Sequence, residues 1–240
     1  MEIRGTVAII TGASAGIGLT TARLFAEHGA RVALAARSSD KLAVLAGELQ
    51  DSFAIPTDMR DVASVERMVR AVHDHYGRID LLVNNAGQGM YMPVERIDLA
   101  QYREIMELNL FGPLRAMQAV IPIMRAQGGG MIVNISSDVA KKQIPGIGAY
   151  ASTKSALNTL TLTARAELAA DNIRVSVMAP NLTATGFGRN AITSQTRNPG
   201  AWPADTRRPG MPIPDPVEKV AAKILEAVQS EVAEQTMGGA

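Results

Sequence analysis

The sequence predicts an α/β domain built as a doubly wound parallel sheet in three layers, αβα. Three observations lead there. Short, almost continuously apolar runs recur along the 240 residues, and segments with helical spacing separate them. The first run passes directly into a glycine-rich turn that opens a helix pattern. Continuous apolar runs suit strands covered on both faces of a parallel sheet. Alternation of strand and helix predicts βαβ units with right-handed crossovers.

The elements follow in order. Val7-Ala8-Ile9-Ile10 is the first strand, and a helix pattern spans Leu19 to His28. Val32-Ala33-Leu34-Ala35, Leu81-Leu82-Val83, Met131-Ile132-Val133 and Val175-Ser176-Val177-Met178 are the later strand runs. In 62–76, Val62, Val65, Met68, Val69 and Val72 recur near a 3.6-residue period, with Asp61 as N-cap and Gly77 as C-cap. A last helix pattern runs from Val217 to Gln229. No repeat or linker divides the chain, so one domain over residues 1–240 is expected. Residues 186–212 hold Gly, Pro, Asn, Arg and Thr without a clear period. A loop of that length is expected to be a lid over a site, with a surface excursion as the alternative.

Composition narrows the function classes. Hydrophobic residues make up 47% and charged residues 20%, which is ordinary globular usage. Lys and Arg number 24 against 23 Asp and Glu, so nothing favours a nucleic-acid partner. The chain has no cysteine, which excludes disulfides, thiolate metal sites and a cysteine nucleophile. His28, His73 and His75 lie on surface-like helical positions beside no carboxylate set, so no metal is expected. Neither a signal peptide nor a membrane span is legible, and a cytoplasmic protein is expected.

Two segments carry chemistry. Thr11-Gly12-Ala13-Ser14-Ala15-Gly16-Ile17-Gly18 joins the first strand to the first helix. Glycines there let the backbone approach a pyrophosphate, and the helix N-terminus presents free N–H groups to an anion. The second strand ends Ala36-Arg37-Ser38-Ser39, with no acid to bond ribose hydroxyls. Arg37, helped by Ser38, suits the 2′-phosphate of NADP(H) better than NAD(H), with a solvated loop charge as the alternative. Tyr150 and Lys154 are four residues apart, on one helix face. An ammonium beside a phenol is expected to lower the phenol's pKa, so that it can exchange a proton with a carbonyl or an alcohol.

The turn spacing T-G-x-x-x-G-x-G resembles the nucleotide motif of the short-chain dehydrogenase/reductase family. Asn84-Asn85-Ala86-Gly87, Ser137 placed 13 residues before Tyr150, Asn109 and Tyr150-x-x-x-Lys154 follow in family order. The resemblance extends from about residue 5 to about residue 229. It implies a Rossmann-like fold and a catalytic tetrad of Asn109, Ser137, Tyr150 and Lys154. In that scheme Tyr150 is the general acid/base and Lys154 binds the nicotinamide ribose. Ser137 bonds the substrate oxygen, and Asn109 holds a water that relays protons; Ser136 is a rival one residue out of register. The resemblance further implies that Asp58 meets the adenine, although it could equally form a turn. Asn85, Ala86 and Gly87 would floor the adenosine side. Pro180, Asn181 and Thr183 would lie near the nicotinamide, and Thr185 falls at a family threonine.

The chain departs from the family in three places. Pro180-Asn181 stands where Pro-Gly is usual, and Lys141 replaces a small residue. After Gln229 no apolar run remains, so six full strands are expected and the family's last strand is expected to be absent. That strand builds one of two interfaces in tetrameric relatives. A homodimer through the helices carrying Asn109 and Tyr150 is therefore favoured over a tetramer. Met90, Tyr91, Met92, Ile144, Pro145, Phe187 and Trp202 are candidate pocket walls, pointing to an apolar or aromatic carbonyl compound. Arg189, Arg197, Arg207 and Arg208 against Asp205 could instead meet an acyl carrier thioester, or simply be solvated. The implied activity is NADP(H)-dependent carbonyl–alcohol interconversion. The alternatives are a non-catalytic NADP(H) sensor or scaffold and a 3-oxoacyl thioester reductase.

Overall fold

The computed structural model describes residues 1–193 and 212–238. Seven strands form one parallel sheet in the order β3-β2-β1-β4-β6-β7-β9. They are β1 (Val7–Thr11), β2 (Arg31–Ala36), β3 (Ser52–Pro56), β4 (Leu81–Asn84), β6 (Gly130–Ile135), β7 (Ile173–Ala179) and β9 (Glu234–Thr236). Two further strands, β5 (Met90–Tyr91) and β8 (Ile192–Thr193), pair as a separate parallel ribbon. The helices are α1 (Gly16–Glu27), α2 (Ser39–Glu48), α3 (Val62–Tyr76), α4 (Leu99–Met106), α5 (Gly112–Ala126), α6 (Gly148–Glu167) and α7 (Val217–Ser230).

The sheet is buried on both faces, which is why its central strands read as unbroken apolar runs. Alternate residues enter two cores. Ala8, Ile10, Leu34, Val83 and Val133 pack with Phe25 of α1, Leu42 of α2 and Ile224 of α7. Val7, Ile9, Ala35, Leu82 and Ile132 pack with Val65 of α3, Val120 of α5 and Ala164 of α6. The three layers and the doubly wound order are those expected from the sequence. Asp61 caps α3 by accepting from the Ala63 N–H, and Gly77 ends it at φ 74° in the left-handed region.

The expected absence of the last strand is corrected. β9 is present and pairs with β7 in the register Val177↔Glu234, Met178↔Gln235, Ala179↔Thr236. Its residues Glu-Gln-Thr are polar because this strand lies at the sheet edge and is largely exposed. Ladder bonds are made by backbone, so no apolar run is needed to announce them. The Lys141 ammonium, one of the departures from the family pattern, forms an ion pair with Glu234 of this strand. With β9 in place, the ground for preferring a dimer to a tetramer is gone. β3 is likewise unannounced by a continuous apolar run, as it forms the opposite edge of the sheet.

Strand order reverses between β1 and β4, and in open α/β sheets a crevice opens at such a switch point. One residue ties its two walls. Thr11 Oγ1 accepts from the backbone N–H of Asn85 at 2.9 Å and of Ala86 at 3.0 Å. Asn85 Nδ2 returns a bond to the Thr11 carbonyl at 2.9 Å. Thr11→Val keeps the shape and removes the acceptor of two amides. It is expected to cost roughly 2–4 kcal/mol, read as a lower denaturant midpoint at unchanged m-value.

Candidate functional site

The glycine turn gets its form from what fills it. Gly12 and Gly16 adopt positive φ, at 70° and 54°. A Cβ on Gly12 would lie 2.8 Å from Asn85 Nδ2, and one on Gly18 would lie 2.5 Å from the Gly12 carbonyl oxygen. α1 follows with no side-chain cap at Ala15 and no acid in its first turn. Its free N–H groups and positive dipole end therefore face the crevice without an internal partner, as a bound anion requires. Ser14 and Ile17, half-buried, flank this end, and a Cβ on Gly16 would reach Thr185 Cγ2 at 3.3 Å. Such a cradle fits the pyrophosphate of a dinucleotide.

Arg37 and Ser38 stand exposed at the end of β2, and Arg37 makes no hydrogen bond or ion pair with another described residue. Asp58 Oδ1 accepts from the Arg60 N–H at 3.0 Å, and the Asp58 N–H donates to Ser64 Oγ at 3.0 Å. It shapes the turn after β3, the alternative open from sequence. On the far side, Asn181 Nδ2 donates to Asp215 at 3.3 Å, and Thr183 forms a bridge with Asp215. Asp215, which also pairs with Lys219 at 2.8 Å, was not among the sequence candidates. Pro180 O accepts from the Asp138 N–H at 2.9 Å.

The catalytic candidates converge at the other end of the crevice. Tyr150 and Lys154 are buried on α6, one turn apart. The Ser137 hydroxyl lies near enough to the Tyr150 phenol to favour its ionised form, while it donates to Asp138 Oδ1 at 3.3 Å. It also caps the turn at Asp138–Lys141, accepting from the Val139 N–H at 3.4 Å. The Ser136 hydroxyl is buried without a hydrogen-bond partner among the described residues. Lys154 Nζ donates to the Ile135 carbonyl at 2.8 Å. Asn109 lies in a π-helical stretch, Glu107–Phe111, between α4 and α5. Its amide donates to Gln88 O at 2.9 Å and Thr153 Oγ1 at 3.1 Å, and accepts from Gln88 N at 2.9 Å. Both amide protons are thus committed within the protein. Gly87 fits between these groups, its missing Cβ 3.3 Å from Asn109 Oδ1 and 3.7 Å from Lys154 Nζ.

Burial dominates the electrostatics here. It lowers the Lys154 ammonium to about 8. It pushes the Tyr150 phenol well above its ordinary value; the nearby Tyr91 phenol and Asp138 add to this, and the Ser137 hydroxyl opposes it. Lys154, whose Nζ is held on the Ile135 carbonyl, is not among the groups that shift the phenol.

The pocket candidates divide by strand alternation. Met90 and Met92 are buried against Ile105 and Ala149 and belong to the core. Tyr91, between them, faces the other way, close enough to Tyr150 to raise its pKa. The Phe187 ring lies 5.6 Å from that of Tyr150, tilted by 56°. Ile144, Pro145 and Arg189 are exposed. Trp202, Arg197, Asp205, Arg207, Arg208 and most of the expected lid lie outside the described residues. Gln88 was not among the sequence candidates, and no motif marks it.

A family model described as short chain dehydrogenase matches residues 6–196. A dehydrogenase/reductase SDR family protein 7-like from Anopheles gambiae is 33% identical over 236 residues, 95% of this chain and 73% of that protein. An alcohol dehydrogenase from Thermococcus sibiricus, complexed with 5-hydroxy-NADP, superposes at a TM-score of 0.82 with 29% identity, covering 97% of this chain and 95% of that one. A 3-ketoacyl-(acyl-carrier-protein) reductase from Brucella melitensis, complexed with NADH, superposes at 0.84 with 26% identity, covering 98% and 96%. Among the described residues no helix is long and apolar enough to cross a membrane.

Lys154 imposes a pH dependence on stability. Its folded pKa, about 8, lies below the unfolded value of about 10.4. Between them the unfolded chain binds more protons, so stability rises with pH from about 8 to about 10. Above about 10 the raised Tyr150 reverses the slope, since the unfolded phenol ionises first. Lys154→Met is expected to flatten the rise between pH 8 and 10, measured as denaturant midpoint against pH.

Proposed function

This chain belongs to the short-chain dehydrogenase/reductase family of oxidoreductases, and we propose that it interconverts a carbonyl compound and an alcohol with NADP(H), using Tyr150 as general acid/base. The observation that carries this reading is the buried convergence of Tyr150 and Lys154, with the Ser137 hydroxyl beside the phenol, at the end of a glycine-lined crevice. A binding-only protein has no need of a desolvated phenol and ammonium on one helix face.

The cradle of Gly12, Ser14, Gly16, Ile17 and Gly18 would hold the pyrophosphate. Arg37 and Ser38 would meet the 2′-phosphate, and Asp58 the adenine side. Asn85, Ala86 and Gly87 would floor the adenosine side. Tyr150, Lys154, Pro180, Asn181, Thr183 and Thr185 would hold the nicotinamide end. The bound cofactor supplies or accepts the hydride.

The residues handle the proton and the developing charge. In the reducing direction Tyr150 donates its phenolic proton to the carbonyl oxygen as the carbon gains hydride. The Ser137 hydroxyl donates a hydrogen bond to the same oxygen and stabilises its charge. The Lys154 ammonium returns a proton to Tyr150; a pKa lowered to about 8 makes it a ready donor near neutral pH. Asn109 positions the Gln88 turn beside Lys154. Phe187 and Tyr91 present aromatic faces beside Tyr150, which suits an apolar or aromatic carbonyl compound. A homo-oligomer through the helices carrying Asn109 and Tyr150 belongs to the same reading.

The test is NADPH consumption at the reduced nicotinamide band with ketones, aldehydes, diketones and acyl thioesters, NADH being run in parallel. Turnover with a carbonyl is expected, and silence across the panel with NADPH still bound would favour a sensor. Tyr150→Phe is expected to lower kcat on the order of 10²–10⁴-fold with the fold intact by circular dichroism. Arg37→Asp is expected to move the NADPH/NADH ratio of kcat/KM towards NADH by about 10–100-fold, the range for a lost charge-assisted bond. An unchanged ratio would sink the NADP(H) assignment.

A further inference from the structure

Gln88 makes four hydrogen bonds to three separate parts of the fold. Its backbone N–H and carbonyl clamp the Asn109 amide, at 2.9 Å each. Its side-chain Oε1 accepts from Arg60 Nη2 at 3.1 Å, and its Nε2 donates to the Asn190 carbonyl at 2.8 Å. Arg60 belongs to the turn after β3, where its N–H bonds Asp58. Asn190 belongs to the segment 187–193, which carries Phe187 onto the Tyr150 ring. The same segment bonds the next residue, as the Ile192 N–H donates to the Gly89 carbonyl at 3.0 Å. There β8 joins β5 through the pairs Met90↔Ile192 and Tyr91↔Thr193. Gly89 leaves no room to spare, since a Cβ on it would meet Phe187 Cε1 at 3.1 Å and Tyr91 Oη at 3.4 Å.

We propose that Gln88 is a positioning residue for the substrate half of the site: its amide latches the segment 187–193 onto the turn that Asn109 holds, and so fixes where Phe187 and Tyr91 stand around Tyr150. The residue type matters. A carboxamide offers one acceptor and donors at a single tip. Arg60 requires the acceptor and the Asn190 carbonyl requires the donor. Glutamate can serve only Arg60, and turns a charged oxygen on the Asn190 carbonyl. Methionine of similar length replaces neither strong bond. The latch acts on the substrate side, because the bonds shaping the glycine turn run through Thr11 and Asn85 and involve no Gln88 side-chain atom.

The proposal rests on the reading of Tyr150 as the acid/base, and the experiment separates the two. Gln88→Glu and Gln88→Met are compared with the wild type by amide exchange over 186–193, by NADPH titration, and by steady-state kinetics on a carbonyl compound that the wild type reduces. In both variants exchange at Ile192 is expected to quicken about tenfold, as for one lost hydrogen bond. KM for the carbonyl compound is expected to rise about tenfold with kcat changed less, the dissociation constant for NADPH staying within about twofold. Exchange as slow as in the wild type overturns the latch. So does a fall in kcat at constant KM, which would place Gln88 with the proton chemistry of Asn109 and Lys154. Exchange is read without turnover. A wild type silent on every carbonyl compound therefore overturns the reading of Tyr150, while exchange still decides the latch.

Discussion

Three hydrogen bonds between Thr11 and the Asn85–Ala86 turn hold the working end of this fold together. They join β1 to β4, the strands between which the sheet changes direction. The Asn85 side chain occupies space that a Cβ on Gly12 or Gly18 would claim. The glycines thus serve two close approaches at once, one to a neighbouring side chain and one to the crevice. The turn that Thr11 secures continues into Gly87, beside Asn109 and Lys154, and into Gln88. A constraint at the glycine turn therefore sets the position of backbone beside Asn109 and Lys154.

The end of the crevice that holds Tyr150 and Lys154 is buried. Burial moves Tyr150 and Lys154 each towards its neutral form, the phenol up and the ammonium down to about 8. Desolvation on this scale opposes folding, and the two apolar cores on either face of the sheet offset it. The Ile135 carbonyl, bonded to Lys154 Nζ, and the nearby Ser137 hydroxyl are the fixed dipoles there, and in a low dielectric such dipoles act strongly on charge.

Around this centre the loops are held by contacts distant in sequence. Asp215, just ahead of α7, anchors Asn181 and Thr183. The Asp138 N–H reaches Pro180 O, and Lys141 reaches Glu234 of the edge strand. An exposed ion pair such as the last adds little stability. It does link the turn after Ser137 to β9.

Much of this was legible in the sequence because it is local. The buried strands announce themselves as apolar runs, Asp61 and Gly77 bound α3 by capping chemistry, and the spacing of Tyr150 and Lys154 puts both on one face of α6. The glycine turn was readable because backbone there needs positive φ and close approach. What escaped was non-local or backbone-driven. β9 is polar because an edge strand needs only its backbone to pair. The two-residue strand β5 is too short to show the alternation that buries Met90 and turns Tyr91 to Tyr150. Gln88 meets Asn190 across 102 residues of chain, a contact no local pattern encodes. The burial that raises the phenol was not legible either, because spacing reports a neighbouring charge and not the loss of water. Sequence by itself determined the layers, the glycine turn and the pairing of Tyr150 with Lys154 on one helix face, since those follow from periodicity and short-range geometry. Only tertiary structure decided how far Tyr150 and Lys154 are buried, where the edge strand β9 pairs and what Gln88 holds, since each depends on groups that folding brings together.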